Sequence, residues 1–363
     1  MPFDAIPRKP RLAIVLFNLG GPDRPEAIKP FLINLFTDPA ILRVPFFVRP
    51  LLARIIARVR VKPATEIYAL LGGKSPLLEL TQAQAAALEA ELPEFETRAF
   101  IAMRYWHPFS LQTAKQVRDF APDQILLLPL YPHYSTTTTG SSLTAWREAA
   151  AQVGLVAPVH SLCCYHSDPA FIRATAALVG HTHAEARAAL DPAIPLRVLF
   201  SAHGLPEVII KQGDPYQNQI EKTSAAIART LALPDADWTV CYQSRATPQK
   251  WIGPSTEDEI ARAAHDKVAI LIVPIAFVSD HSETLVELDI EYRELAHKEG
   301  VPGYFRAPVQ NTDPDFIAAL AALARTTLAR PPGLCSFVGG RTCPAPFGDC
   351  PHARAGRPEP ANA

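Results

Sequence analysis

Hydrophobic residues along this chain fall into short continuous runs, and each run breaks off at Gly, Pro or polar residues. Six of the runs form three pairs, one member in each half of the chain: AIVLFNLGGP (13–22) with RVLFSAHGLP (197–206), AFIAMRYWHP (99–108) with TVCYQSRATP (239–248), and ILLLPLYPHYS (125–135) with AILIVPIAFVS (269–279). Such runs, bounded by turn residues, are typical of parallel strands buried on both faces. The pairing predicts an internal duplication.

Helical patterns such as 80–92 and 220–233 separate these runs. Alternating strands and helices predict an α/β fold of two similar doubly wound, Rossmann-like domains, each a parallel sheet flanked by helices, with a cleft between them. The expected division is an N-terminal domain over 1–160, a C-terminal domain over 161–330 and a cysteine-containing tail over 331–363. The last helix of the second domain, near 316–328, is expected to pack back on the first.

Ligands of doubly wound folds bind beyond the carboxyl ends of the strands, so the polar residues after the apolar runs are site candidates. They are the segments 18–22, 104–107, 131–142, 201–206, 243–245 and 279–283. His203 follows the run LFSA, and Gly204 and Pro206 then place the chain in a turn. A neutral imidazole in this position can ligate a metal or accept a proton.

The segment PIAFVSDHSETLVELDIEY (274–292) carries a ladder of carboxylates. Glu283, Glu287 and Glu291 follow one another at i, i+4 and i+8, with Asp280 and His281 at the head. Like charges at this helical spacing repel, so the ladder favours a route for a metal ion or for protons, with Glu283 facing His203 across the cleft. The alternative is a solvated acidic helix face.

The segment 41–63 is apolar and basic, with five Arg, one Lys and no acid. It predicts an interfacial helix or a lip over an apolar ligand that touches a membrane surface, and the alternative is an amphipathic core helix whose Arg side chains face water. In either case Arg60 is a candidate for binding a ligand carboxylate. The hydroxyl-rich run YSTTTTGSS (134–142) predicts a capped helix start or a site for anionic groups.

Composition narrows the class of function. The 363 residues include 35 Lys and Arg against 36 Asp and Glu, which argues against a nucleic-acid partner and favours a small-molecule substrate. No apolar stretch reaches the ~18 residues of a membrane-spanning helix, and the N-terminal residues lack the order of a signal peptide, so a cytoplasmic protein is expected. Six cysteines then indicate metal ligands or buried thiols rather than disulfides.

The ordered motifs resemble those of the ferrochelatase family from about residue 12 to residue 328. They are FNLGGP, LGGKSPL, MRYWHP, LPLYPHYSTTTTGSS, LFSAHGLP, GDPY, YQS, WIGPST and PIAFVSDHSETLVELDIEY. The resemblance implies a lyase that inserts ferrous iron into protoporphyrin IX at the end of haem synthesis, and it leaves the oligomeric state open. The alternatives are a tetrapyrrole or haem carrier without chemistry, and a chelatase for another metal and tetrapyrrole.

The resemblance also assigns residues. It implies that His203 and Glu283 are the catalytic, metal-binding pair, and that the residues of the acidic segment relay metal or protons: Asp280, His281, Glu287 and Glu291. The implied porphyrin contacts are Leu19, Arg60, Ser75, Arg104, Tyr105, Trp251 and Phe277.

The C-terminal tail places Cys335, Cys343 and Cys350 within sixteen residues. Some members of the family carry a [2Fe–2S] cluster on such a tail, and a cluster needs four ligands. The resemblance therefore makes these three thiols candidate ligands, with Cys164 or His352 as the fourth. A zinc site or three unligated thiols are the alternatives.

Overall fold

The computed structural model describes residues 8–245 and 249–354. Three sequence expectations therefore lie partly outside the described residues: the start of the first domain, the last residues of the run 239–248, and the end of the tail.

The described residues form strands and helices that alternate along the chain. The strands are β1 (Arg11–Asn18), β2 (Glu96–Met103), β3 (Gln124–Pro129), β4 (Val159–Leu162), β5 (Leu196–His203), β6 (Trp238–Gln243), β7 (Ala269–Pro274), β8 (Tyr304–Arg306) and β9 (Gly333–Cys335). The α-helices are α1 (Ile28–Thr37), α2 (Arg49–Ala69), α3 (Leu77–Ala90), α4 (Ser110–Phe120), α5 (Ser141–Gln152), α6 (Pro169–Ala189), α7 (Glu207–Lys211), α8 (Tyr216–Thr230), α9 (Thr256–Asp266), α10 (Tyr292–Glu299), α11 (Pro314–Leu328) and α12 (Pro351–Arg354). Two π-helices, Thr136–Gly140 and Glu283–Glu291, precede α5 and α10.

The strands assemble into two sheets in which every pairing is parallel. The first sheet has the order β2-β1-β3-β4-β9 and the second the order β6-β5-β7-β8. The predicted α/β fold with two parallel sheets is thus confirmed, and the six apolar runs became β1, β2, β3, β5, β6 and β7. The short strands β4, β8 and β9 were missed because three or four residues carry too little pattern.

The largest apolar cluster lies between the two sheets and draws side chains from both. Ile14 and Leu126 of the first sheet and Phe200 and Leu271 of the second belong to this one cluster. Helices α6 and α11 pack against each other there; α11 also contacts β3 and β4, and α6 contacts β7 and β8. Strand β4 spans the expected boundary at 160/161, and β9 of the tail joins the first sheet, so the division into domains stays a prediction.

Both central helices begin at an Asp-Pro pair. The Asp168 carboxylate accepts hydrogen bonds from the backbone N–H groups of residues 170 and 171 at the start of α6. Asp313 accepts from the backbone of residue 316 at the start of α11. A capping carboxylate followed by Pro at the first helical position satisfies free N–H groups and favours the helix dipole. The start of the helix predicted at 316–328 is therefore encoded locally.

Candidate active site

His203 is the last residue of β5 and lies at the carboxyl end of the second sheet. Its neighbour on β6 is Gln243. The Tyr216 hydroxyl donates to the His203 carbonyl at 3.0 Å. The Gly204 N–H donates to the Gln243 carbonyl at 2.8 Å, and a Cβ at residue 204 would lie only 3.0 Å from that oxygen. The backbone on both sides of the imidazole is therefore held by hydrogen bonds.

His203 and Glu283 form a hydrogen-bonded pair, with 2.9 Å between Nδ1 and Oε2. Burial raises the pKa of Glu283, but the charge of His203 and its hydrogen bond outweigh burial and lower that pKa to about 2. Burial lowers the pKa of His203, but the charge of Glu283 and its hydrogen bond raise it by more, so the pKa of His203 lies above its usual value. Because the carboxylate carries no proton, Nδ1 of His203 keeps its hydrogen and donates, so Nε2 is the ring nitrogen that gains or loses a proton. The side chains are 37% and 26% exposed, so both are within reach of a ligand.

The acidic segment 283–291 is a π-helix, which corrects the regular α-helical spacing expected for the ladder. A π-helix closes i→i+5 hydrogen bonds, has more residues per turn than an α-helix and is frequently found at functional sites. Residues four apart still lie near one face, so the three glutamates remain neighbours. The α-helix resumes at Tyr292.

Burial decreases along the ladder. Both oxygens of Glu287 are occupied: they accept from the Gln243 amide at 2.9 Å, the Ser244 N–H at 3.0 Å, the Ser244 hydroxyl at 2.5 Å and the Tyr292 hydroxyl at 3.1 Å. Burial, followed by the charge of Glu283, raises the pKa of Glu287. Glu291 is exposed. The ladder thus leads from the His203–Glu283 pair to the surface.

The two residues at the head of the ladder are engaged in local hydrogen bonds. His281 Nδ1 accepts from the Glu283 N–H at 3.0 Å, and its ring packs edge-on against Phe277 at 4.4 Å. Burial lowers the pKa of His281. The carboxylate of Asp280 accepts hydrogen bonds from Asn311 and Thr284, both at 2.8 Å. These contacts shape the start of the π-helix.

The expected porphyrin contacts approach the pair from two sides. On the second-sheet side, Trp251 lies against Gly204, where a Cβ would come within 3.3 Å of the indole, and Phe277 is half-buried. On the first-sheet side, half-buried Leu19 belongs to the same apolar cluster as Tyr68 at the end of α2. The Tyr68 hydroxyl forms a hydrogen bond with Ser282. Burial, the largest cause, raises the pKa of Tyr68 to about 12, and the negative charge of Glu283 also raises it.

Ser75 is buried next to Gly21, where any Cβ would meet its side chain at 2.5 Å, and the Tyr68 hydroxyl lies 3.9 Å from the same point. The glycine therefore permits the close approach of the GGP and GGKSP motifs. Both motifs lie beside Tyr68, a residue that the sequence analysis missed. The sequence marks Tyr68 only as one aromatic residue in a basic helix.

Arg104 and Tyr105 are bound to a buried aspartate. The Tyr105 hydroxyl donates to Asp38 at 2.9 Å, and Arg104 contacts the same carboxylate at 2.8 Å and the Ser141 hydroxyl at 2.6 Å. Tyr105 is fully buried, whereas the side chain of Arg104 is 24% exposed. Of the two expected cleft residues, Arg104 is therefore the one that a ligand can reach directly.

Residues of the hydroxyl-rich run donate hydrogen bonds to a second buried carboxylate. Asp214 accepts from the Ser135 hydroxyl at 3.0 Å and from the Thr136 N–H and hydroxyl, each at 2.7 Å. Burial raises the pKa of Asp214 in spite of these hydrogen bonds. The helix predicted at this run is α5, which begins at Ser141.

The basic segment 41–63 becomes the turn before α2 and most of that helix. One face of α2 buries Ala53 and Ala57, and Arg60 is half-buried on the helix. Large apolar side chains on and before the helix are between 52% and 71% exposed: Phe46, Phe47, Leu51, Ile55 and Val59. We call these five residues the apolar lip. No helix among the described residues combines the length and apolarity needed to span a membrane.

Five of the six cysteines lie near one another, and all six are buried. The sulfurs of Cys163 and Cys164 are 3.2 Å apart, and the hydrogen bond between them is the largest cause that raises the pKa of Cys163; burial and the nearby Cys350 and Cys335 add to it. A hydrogen bond from Cys350 is the largest cause lowering the pKa of Cys343 to about 6. Within 8–245 and 249–354, however, no three His, Cys, Asp or Glu side chains are grouped closely enough to hold a metal ion.

Comparison with known proteins gives a consistent result. The ferrochelatase family model matches residues 11–328. A ferrochelatase of Caulobacter vibrioides is 51% identical over 345 residues, which cover 94% of this chain and 97% of that protein. A ferrochelatase of Phenylobacterium zucineum is also 51% identical, with the same coverage.

Two solved structures share the fold. SirB from Bacillus subtilis with Fe3+ superposes with a TM-score of 0.50 at 13% identity, over 88% of this chain and 96% of that chain. The sirohydrochlorin chelatase SirB from Bacillus subtilis subspecies spizizenii in complex with cobalt gives a TM-score of 0.51 at 11% identity, over 88% and 97%. At such low identity the likeness concerns the fold alone, and it supports two chelatase-like, Rossmann-like halves.

Proposed function

This chain belongs to the ferrochelatase family, the lyases that insert ferrous iron into a porphyrin in haem biosynthesis, and from that premise we propose that its porphyrin is protoporphyrin IX and that the reaction takes place at His203 and Glu283. The observation that carries the proposal is the 2.9 Å hydrogen bond between this histidine and this carboxylate at the head of the acidic π-helix. A haem carrier would need neither the pair nor the ladder.

Insertion of Fe2+ into a porphyrin releases the two pyrrole N–H protons as the metal binds the four nitrogens. Nε2 of His203 accepts a pyrrole proton, while ionised Glu283 holds Nδ1 and stabilises the imidazolium that forms. Glu287 and Glu291 then pass that proton to the surface, so that Nε2 can accept the second pyrrole proton, and Asp280 and His281 set the start of the helix. Rigid walls that fit a bent macrocycle better than a flat one would lower the barrier by differential binding.

The choice of protoporphyrin rests on the apolar character of the surrounding side chains. Leu19, Trp251 and Phe277 are apolar or aromatic, and they suit an apolar macrocycle better than an early tetrapyrrole with many carboxylates. Arg60 and Ser75 are the proposed partners of the two propionates. Competition between protoporphyrin IX and a more carboxylated porphyrin for insertion tests this choice directly.

The central experiment replaces His203 with Ala and follows the loss of free-porphyrin fluorescence when ferrous iron is added. We expect insertion to fall by about a hundredfold or more, because the base is lost, while porphyrin still binds. His297→Ala, an exposed histidine on α10, is the matched control and should turn over normally. Wild-type turnover by the His203 variant would remove this histidine from the mechanism, and quenching limited to one porphyrin per protein in the wild type would favour a carrier.

We further propose that the apolar lip and the arginines around it contact the inner face of a membrane from the cytoplasm. Exposed apolar side chains and exposed Arg54 and Arg58 occur together on α2. This combination suits the boundary between anionic headgroups and acyl chains, where an apolar porphyrin also partitions.

For the tail we propose a [2Fe–2S] cluster held by Cys335, Cys343, Cys350 and Cys164. These thiols are buried near one another and Cys343 already has a lowered pKa, but no three of the described side chains are grouped closely enough to hold a metal ion, so the ligands would have to move closer together on binding. The Gln219 amide donates to the Cys343 sulfur at 3.2 Å, which stabilises negative charge there. When bound, a cluster of this type carries one electron and crosslinks the segments that ligate it. His352, whose buried Nε2 has no hydrogen-bond partner among the described residues, is the other candidate for the fourth ligand.

A further inference from the structure

Asn311 lies in the loop between β8 and α11 and is joined to Asp280 by two hydrogen bonds. Its Nδ2 donates to Asp280 Oδ2 at 2.8 Å, and its Oδ1 accepts from the Asp280 backbone N–H at 3.0 Å. The backbone of Asn311 has φ +43°, a left-handed conformation that Asn tolerates better than most residues. One side chain thus acts as donor and acceptor on the same neighbour at the same time.

Asp280 in turn anchors the start of the acidic π-helix. Its Oδ1 accepts from the Thr284 hydroxyl at 2.8 Å and lies 3.7 Å from Arg306 Nη1. Thr284 follows Glu283 directly, so this hydrogen bond helps to fix the backbone that carries the Glu283 carboxylate. Since both oxygens of Asp280 are engaged within the protein, its role is better explained by anchoring than by binding iron.

The same loop is connected to the other sheet through Gln84, a fully buried residue on α3. The Gln84 amide donates to the Asn311 carbonyl at 2.8 Å and to the Val278 carbonyl at 2.9 Å. Its Oε1 accepts from the Ser279 hydroxyl at 2.8 Å. Helix α3 begins just after Ser75, an expected propionate contact. Gln84 therefore ties the helix that follows Ser75 to the loop and to the residues just before the π-helix.

We propose that Asn311 is a positioning residue for iron insertion: by bonding Asp280 on one side and Gln84 on the other, it keeps Glu283 in hydrogen-bond contact with His203. This inference rests on the proposed roles of that pair. A carboxylate at position 311 would lose the donor and repel Asp280, and Ala would lose both bonds. A displacement of catalytic groups by ~1 Å can cost about a hundredfold in rate.

The test compares Asn311→Asp, Asp280→Asn and the double variant that exchanges the two side chains. In the double variant, the amide at position 280 can donate to the carboxylate at position 311. That carboxylate still accepts from the backbone N–H of residue 280, so both hydrogen bonds are restored. We expect Asn311→Asp to lower kcat by about ten- to a hundredfold. The dissociation constant of protoporphyrin, followed by fluorescence, and the melting temperature should stay close to wild type. The exchange should recover most of kcat.

Gln116→Glu, the same amide-to-carboxylate change on the exposed face of α4, is the matched control and should leave kcat unchanged. A kcat for Asn311→Asp within twofold of wild type would overturn the proposal, and so would an exchange variant as slow as the single one. Glu283→Gln is measured in parallel. If it is fully active, the proposed catalytic pair is wrong; if it is inactive while Asn311→Asp is fully active, only the positioning role is wrong.

Discussion

At the scale of single residues, a buried histidine makes the fold sensitive to acid. His133 is 2% exposed, and its Nε2 lies 2.8 Å from the Thr223 hydroxyl. That hydroxyl donates to the His166 carbonyl at 2.5 Å, so Nε2 of His133 is the donor in the contact and the ring is neutral. Nδ1 has no partner among the described residues, so a second proton would be buried without a hydrogen bond. Burial accordingly holds the pKa of His133 well below its usual range.

Replacing His133 with Gln should reduce the acid sensitivity of folding. Because the folded-state pKa is depressed, the stabilisation is present above the unfolded-state value of ~6.5 and is lost as the pH falls below it. One such group contributes a slope of up to ~1.4 kcal/mol per pH unit. Urea unfolding at several pH values between 6.5 and 5 should show a shallower loss of stability in the variant. His297→Gln should keep the wild-type slope, and an unchanged slope for His133→Gln would contradict this account.

At the scale of elements, α2 and the turn before it expose several large apolar side chains, whereas the buried face of the helix carries alanines. Phe46, Phe47 and Leu51 leave 64–71% of their surface exposed. Full burial of such side chains is worth about 1.5–3 kcal/mol each, so a surface that covers them gains considerable free energy. The arginines of the same helix add attraction to anionic headgroups, which salt weakens.

Replacing Phe46, Phe47 and Leu51 with Ser should therefore weaken flotation with vesicles of anionic lipid and raise the apparent KM for protoporphyrin severalfold. Binding of the wild type should decrease with added salt. Val156→Ser, which removes a 94% exposed apolar side chain elsewhere, is the control for surface hydrophobicity and should change neither quantity. If the triple variant keeps the wild-type KM and flotation, α2 contacts neither substrate nor lipid through this face.

At the scale of the whole molecule, the tail joins parts of the chain that are far apart in sequence. Strand β9 extends the first sheet by pairing with β4, and the Cys163 N–H donates to the Cys335 carbonyl at 2.8 Å. Lys222 and Gln219 of α8 contact Thr342 and Cys343. Gln219 also accepts from the Tyr134 N–H at 2.8 Å, so α8 links the tail to the hydroxyl-rich run.

If the tail holds a [2Fe–2S] cluster, anaerobically purified protein should be red-brown and contain acid-labile sulfide. Cys343→Ser should remove the colour and lower the melting temperature by several degrees, since a ligand bound only to the folded state adds stability. Cys241→Ser, in β6, should keep the colour. Comparing Cys164→Ser with His352→Ala identifies the fourth ligand. A colourless, fully active wild type without sulfide would leave the tail without a cluster.

The sequence alone determined the class of fold, because short continuous apolar runs bounded by turn residues are typical of strands covered on both faces. It also placed His203 at a strand end and Glu283 at the head of an acidic ladder, since these positions depend on local order along the chain. Tertiary structure decided the rest. The π-helix, the approach of Tyr68, the anchoring of Asp280 by Asn311 and the gathering of five cysteines all depend on partners tens to hundreds of residues away. Such contacts leave no periodic pattern, because their geometry is set only when the two sheets pack around their shared core.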